Sequence, residues 1–362
     1  MFRAIVAAAL LSTTAQAFAS DLRAEFVRRL PDEIGPSIRD VAWRGRDTLL
    51  FATNQGVYSY TLAAPGRAAR VLPAVPIPDG VREPRSIDTD DTLAIVTSPM
   101  PPSGYVWETK GNERVIAQTS AELSVSQSAI FGKTLCIMAA NLRATASELK
   151  SGSVWCGNVE QGWSTFKPVH RIRSGDAAVD RYRRAILHHG GSIARAGDGS
   201  FYVVTAAEPG VFHYSTAGRL LDVTGNNLED LVLTDMRDLA AKFGMDIENR
   251  YRLMLNTQPT IDDLVVTPEG PAILVRLAEK NKIRWELWYP DRAGGAKRRV
   301  RLAADRPGPY GHLRCDARGD MLACIGSLPP ANEANVVEKA QRHPTVWVFK
   351  LKEDSGVGVA AK

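Results

Sequence analysis

The chain has 362 residues, with 45 Lys and Arg against 40 Asp and Glu for a formal net charge of +5. None of its four cysteines forms a Cys-x-x-Cys pair, which excludes a thiolate zinc site or redox dithiol of that spacing. No apolar run reaches the ~18 residues of a membrane helix, so no transmembrane segment is expected. The basic surplus is small, and with the export signal described next it excludes nucleic acid as a partner.

Residues 1–19 read as a signal peptide. Arg3 gives a positive start, residues 5–11 are apolar, and Ala15-Gln16-Ala17 or Ala17-Phe18-Ala19 offers a small-residue cleavage site. A periplasmic or secreted protein is therefore expected, with residues 20–362 as one domain.

Within that domain a short pattern recurs: a strand, a tight turn, a more hydrophobic strand, then two further strands. The first copy places strands at 38–43, 48–53, 56–60 and 69–72. The second has 85–87, 92–97, 104–107 and 113–117. The third has 123–129, 134–139, 152–156 and 164–169. In the fourth, a strand around Ile193 meets a turn at Gly197-Asp198-Gly199, where Gly197 and Gly199 supply positive φ and Asp198 tolerates it. Strands at 200–205, 211–214 and 220–223 follow. The fifth has 261–266, 272–277, 283–288 and 299–302. The sixth has 312–315, 321–325 and 345–350, and 24–30 can supply its missing fourth strand.

The first-strand anchors Val41, Ile87, Val125, Ile193, Leu264 and Leu313 lie 46, 38, 68, 71 and 49 residues apart. A sheet of this kind cannot bury both faces alone and needs neighbours. A unit of ~40–50 residues with two insertions resembles the β-propeller superfamily, of the NHL-like kind. The expectation is an all-β, six-bladed propeller, with seven blades as the alternative.

The two insertions differ in character. Residues 171–187 are basic and polar. Residues 226–256, between the fourth and fifth copies, hold the one helical pattern, at 227–243. Asn226 and Glu229 match a capping box, Leu228, Leu231, Val232, Leu239 and Phe243 form a stripe, and Gly244 follows as a stop. This helix is expected to pack over the ring's edge or mouth.

Cys136 and Cys156 fall on the second and third strands of one blade, and Cys315 and Cys324 on the first and second of another. An even count in an exported chain reads as two disulfides. In a propeller the first strands line a central channel, and the residues leading into them rim one mouth. That rim carries Arg39, Asp40, Arg85, His188, His189, Asp262, Asp263, His312 and Arg314. Opposite charges beside histidines suit an anionic or sugar-like ligand, or a divalent metal.

His188-His189-Gly190-Gly191, followed by Gly197-Asp198-Gly199 and Phe201-Tyr202-Val203, resembles a signature of soluble quinoprotein glucose and sorbosone dehydrogenases. The resemblance implies that His188 or His189 is the general base, with pyrroloquinoline quinone (PQQ) taking the hydride and calcium holding the quinone. After Thr205 the chain departs from that family, continuing as Ala206-Ala207-Glu208-Pro209. Two functions follow. One is an exported binding or scaffold protein with a small-molecule or protein partner at the channel mouth. The other is a propeller enzyme, either a PQQ-dependent sugar dehydrogenase or a calcium-dependent lactonase-like hydrolase.

Overall fold

The structure is a computed structural model and describes residues 22–29, 38–53, 56–62, 70–72, 86–99, 102–108, 115–118, 123–141, 153–162, 165–171, 191–232, 259–279, 282–291, 298–307, 312–327 and 344–353. The described elements are strands and one short 3-10 turn.

Five blades, rather than six or seven, are meanders of four consecutive antiparallel strands. The first comprises β2 (Ile38–Arg44), β3 (Thr48–Thr53), β4 (Gly56–Thr61) and β5 (Arg70–Leu72). The second comprises β6 (Ser86–Thr89), β7 (Leu93–Pro99), β8 (Pro102–Glu108) and β9 (Val115–Gln118). The third is β10 (Leu123–Phe131), β11 (Thr134–Asn141), β12 (Val154–Asn158) and β13 (Lys167–His170). The fourth is β14 (Ser192–Arg195), β15 (Phe201–Val204), β16 (Val211–Tyr214) and β17 (Leu220–Thr224). The fifth is β18 (Thr260–Thr267), β19 (Gly270–Glu279), β20 (Lys282–Tyr289) and β21 (Arg298–Pro307).

One further four-stranded sheet is composite. β22 (His312–Arg318), β23 (Met321–Ser327) and β24 (Pro344–Glu353) run in sequence, and its outer strand is β1 (Leu22–Arg29). β1 pairs antiparallel with β24 from Leu22↔Glu353 to Arg29↔Trp347, so the two ends of the described chain lie side by side.

The apolar pattern explains the ring. Second strands such as β3 and β19 read as nearly continuous apolar runs because a neighbouring sheet covers each of their faces. The buried side chains accordingly gather between sheets, and six hydrophobic clusters fill six seams. At the seam of the third and fourth blades, His170 Nδ1 lies 2.8 Å from the Tyr214 hydroxyl, and Nε2 lies 2.8 Å from Glu208 Oε1. The same histidine packs on Phe212.

Both disulfides form as expected. Cys136 faces Cys156 across β11 and β12, and Cys315 faces Cys324 across β22 and β23. Such bridges suit an oxidising compartment. No helix among the described residues is long and apolar enough to cross a membrane.

Two local expectations are corrected. The helix expected at 227–243 is represented among the described residues only by a 3-10 turn, Glu229–Leu231. Leu228 caps it without a side-chain bond, in place of the Asn226 capping box. At Val232 the backbone is already extended, at φ −73° and ψ 127°. Leu228 and Leu231 are instead drawn into the seam between the fourth and fifth blades, where packing outweighs helical periodicity. Residues 233–258 of that insertion, and 172–190 of the other, lie outside the described residues. In the Gly197-Asp198-Gly199 turn only Gly199 takes positive φ, at 83°.

Candidate functional site

The inner strands β2, β6, β10, β14, β18 and β22 surround a channel with two ends. At the loop end the chain arrives at each inner strand, and at the turn end each inner strand turns into its second strand. Polar side chains beside the apolar anchors link neighbouring inner strands across every seam.

Toward the loop end Asp40 Oδ2 accepts the Ile87 amide at 2.9 Å, and Gln127 Oε1 accepts the Ile193 amide at 3.0 Å. Asp263 joins more of the ring than any other described carboxylate. Its Oδ1 accepts from Gln127 Nε2 at 3.0 Å, Ser192 Oγ at 2.7 Å and its neighbour Leu264 at 2.9 Å. Its Oδ2 accepts the Cys315 amide at 2.9 Å. Asp262 turns away from the channel into the seam, where its Oδ2 takes Trp285 Nε1 at 2.7 Å and the Leu313 amide at 3.1 Å. A β-bulge between Ile261 and Asp263 lets these two adjacent side chains serve different places.

The sequence-derived residues are thus partly assembled. Arg314 Nη1 lies 3.7 Å from Asp263 Oδ1. Asp40 sits close enough to both that burial pushes its carboxyl up to about 8, with Arg314 opposing and Asp263 adding to the rise. Arg39 is half-buried on β2, and His312 opens β22 opposite Ser327. Arg85, His188 and His189 lie outside the described residues.

The turn end has a different construction. Asp88 Oδ2 accepts the Ile130 amide at 2.7 Å and Asp316 Oδ2 the Trp43 amide at 2.7 Å. Asp90 accepts the Gly132 amide, and Asp91 Oδ1 the Gly45 amide at 2.7 Å. Two guanidinium groups then reach past a blade to the second one. From the fourth blade, Arg195 Nη2 donates to the Thr89 carbonyl and lies 3.9 Å from Asp88 Oδ1. From the composite sheet, Arg318 grips Asp91 with two bonds of 2.9 Å. Burial opposes the charge on Arg195, but Asp88, Asp316, Asp90 and Asp91 outweigh it and raise its pKa. Burial, then Asp88, pushes Asp316 up to about 7. Hydrogen bonding to Arg318 holds Asp91 low.

Arg195 and Asp316 separate two cavities. Inside is a polar chamber of about 80 Å³, bordered by Asp40, Asp263, Gln127 and Ser128. Outside, a cavity of about 600 Å³ fills the turn-end mouth, walled by Phe131, Asp90, Asp91, Thr267 and Arg318. Sequence reasoning passed over Asp88, Gln127, Ser128, Arg195, Asp316 and Arg318. The available signal was a polar residue beside the apolar anchor of a short first strand, as in Ile87-Asp88 and Asp263-Leu264.

Among the described residues no group of three or more His, Cys, Asp and Glu is placed to hold a metal ion. The carboxylates Asp40, Asp262 and Asp263, which a calcium site would use, are engaged by amides and an indole. They do not fit calcium as arranged. A Ser–His–Asp trio occurs at the outer side of the fourth blade, where Ser200 Oγ lies 2.6 Å from His213 Nε2. Asp198, however, accepts from Ser200 itself and its amide. A serine that donates to the carboxylate gives no proton to the histidine, so this trio lacks the order that activates a nucleophile.

No family model matches the chain, and no curated protein matches it. Solved structures do. A member of the DUF4221 family from Bacteroides vulgatus has TM-score 0.51 at 10% identity, over 92% of this chain and 99% of that one. The PQQ-bound aldose sugar dehydrogenase of Streptomyces coelicolor has TM-score 0.45 at 10% identity, over 92% and 99%. Apo AztD from Citrobacter koseri has TM-score 0.36 at 12% identity over 52% of this chain, and the matched part is 47% of AztD, about half its length. Similarity at this level concerns the fold, a β-propeller, and nothing finer.

Proposed function

We infer that the chain is an exported binding or scaffold module whose ligand or partner site is a mouth of the propeller channel. The observation that carries this reading is the cavity of about 600 Å³ at the turn end, whose walls mix charged groups with apolar ones such as the half-buried Phe131. Its volume lies in the usual range of small-molecule sites. By contrast, the loop-end carboxylates are engaged in joining blades. That end keeps one feature suited to an anionic ligand: Arg314 Nη1 is buried without a hydrogen-bond partner among the described residues.

The dehydrogenase reading rests on His188 and His189, and the resemblance that names them makes it testable. The mature protein is mixed with calcium and PQQ, and dye reduction is followed with a panel of aldoses. The binding reading expects no sugar-dependent reduction. Reduction that is lost in His188→Ala or His189→Ala would overturn it. The mouth is tested with Gly197→Trp, since a Cβ at Gly197 meets nothing within 4 Å and the position borders the cavity. Ligand binding indifferent to this plug would remove the turn-end mouth as the site.

A further inference from the structure

We propose that the turn-end mouth takes a small organic cation, one carrying a guanidinium or primary ammonium group, held by Asp88 and Asp316 beside Arg195. This deepens the mouth reading and rests on it.

The first ground is charge. Asp90, Asp91 and Asp316 line the mouth and Asp88 borders the chamber behind it, four carboxylates against two guanidinium groups, Arg195 and Arg318. Asp91 is matched by Arg318 in a bidentate pair, and Asp90 is drawn into its own turn by the amides of Thr92 and Leu93. Asp88 and Asp316 then share Arg195 alone. A carboxylate offers about four acceptor positions. Asp88 accepts the amides of Ile130 and Thr89, and Arg195 stands 3.9 Å from its Oδ1, beyond hydrogen-bond reach, so acceptor capacity remains.

The second ground is that the protein already places a group of this chemistry there. Arg195 arrives from the fourth blade and buries a guanidinium among these carboxylates. A ligand cation would add a second positive charge to a place that now holds one.

The third ground is independent of charge. Ser128 borders the same inner chamber as Asp88, Asp316 and Arg195 and is 7% exposed. Its Oγ has no hydrogen-bond partner among the described residues. An unpartnered buried hydroxyl is costly and calls for a polar occupant. An N–H donor reaching past Arg195 would supply it.

The surplus of negative charge is at present offset by a proton. Asp316, pushed up to about 7 by burial and by Asp88, is about half protonated at neutral pH. Its other charged neighbours are Arg195 and, further out, Asp90, Asp91 and Arg318. A cation bound against Asp316 favours the ionised form, so binding displaces the proton. Affinity should then rise about tenfold from pH 6 to pH 8 by linkage.

The test is calorimetric titration of the mature protein with N-acetyl-arginine amide and, as its opposite, N-acetyl-glutamate amide. Two buffers of different ionisation enthalpy at pH 7 report the proton. The expected result is saturable binding of the arginine probe, release of up to about half a proton, and at least tenfold weaker binding in Asp316→Asn. That variant keeps an acceptor for the Trp43 amide, and thermal unfolding confirms that it folds. Serine 128 is checked with Ser128→Ala, expected to weaken binding severalfold. Equal or better binding of the glutamate probe, absence of arginine binding, or arginine binding without proton release and unchanged in Asp316→Asn would each overturn the proposal. If Gly197→Trp abolishes glutamate binding while arginine never binds, the mouth stands and the cation falls. If arginine binds and Gly197→Trp leaves it unchanged, the mouth itself falls.

Discussion

The two ends of the channel use the same residue type for different ends. At the loop end, aspartates and Gln127 accept main-chain amides of neighbouring blades, and the inner strands are held directly to one another. At the turn end, aspartates also accept amides, but two arginines reach across and leave a cavity between them. An amide bond is short, neutral and fixed by the strand register. A guanidinium on a long side chain spans a gap and can rearrange. The difference indicates that the loop end holds the ring and the turn end leaves room.

Removing the loop-end hub should break the comparison most visibly. Asp263→Ala leaves Gln127 Nε2 and the amides of Leu264 and Cys315 without their acceptor, whereas Ser192 Oγ still has Gln127 Oε1. At ~1 kcal/mol or more each, the loss is on the order of 3 kcal/mol. Asp316→Ala frees the Trp43 and Ala317 amides and should cost about two-thirds as much. Urea denaturation of the two variants checks this. Equal losses would mean that the ends are equally structural.

The glycines of the fourth blade offer a second contrast. Gly191 precedes β14 with φ 95°, and a Cβ there would sit 2.1 Å from the Val204 carbonyl oxygen. Gly191→Ala should therefore destabilise by ~3 kcal/mol or more, since main-chain atoms must move. Gly197→Ala, at the turn end, should stay within ~0.5 kcal/mol of the parent. Comparison of their melting temperatures decides it.

A pH-dependent effect separates Asp40 from its surroundings. Its ordinary value is 3.8 and the folded value about 8, so between these the folded state binds more protons than the unfolded one. Stability must then fall as pH rises from about 4 to about 8, by up to ~1.4 kcal/mol per pH unit for this group. Asp40→Asn keeps an acceptor for the Ile87 amide and removes that slope. Denaturation at pH 5, 6, 7 and 8 should give a flatter profile for the variant. An unchanged slope would show that Asp40 is ionised in the folded protein.

Much of the fold was legible because it is local. Alternating and continuous apolar runs mark strands such as β3 and β19, tight turns separate them, and the spacing from Val41 to Ile87 nearly repeats from Leu264 to Leu313. Cys136 and Cys156 could be paired because facing strands put them opposite each other. The start of the 227–243 helix misled because Leu228 and Leu231, two of the five residues of its apolar stripe, are recruited by the seam between the fourth and fifth blades. The site was harder still. Arg195 meets Thr89 and Arg318 meets Asp91 across 106 and 227 residues. Nothing in a local window distinguishes such arginines from solvated ones, or a channel carboxylate that joins blades from one free to bind.

The smallest effect expected is at Arg318, and it is also the most informative about the mouth. The bidentate pair with Asp91 is about one-third exposed on each side, so water screens it. Exposed pairs of this kind contribute ~1 kcal/mol or less, and Arg318→Ala should lower stability by no more than that. Its effect on the cavity should be larger than its effect on the fold. Losing Arg318 adds one uncompensated carboxylate to the wall, so the arginine probe should bind more tightly and the glutamate probe should not gain. A large loss of stability would make the turn end as structural as the loop end, and the distinction between them would fail.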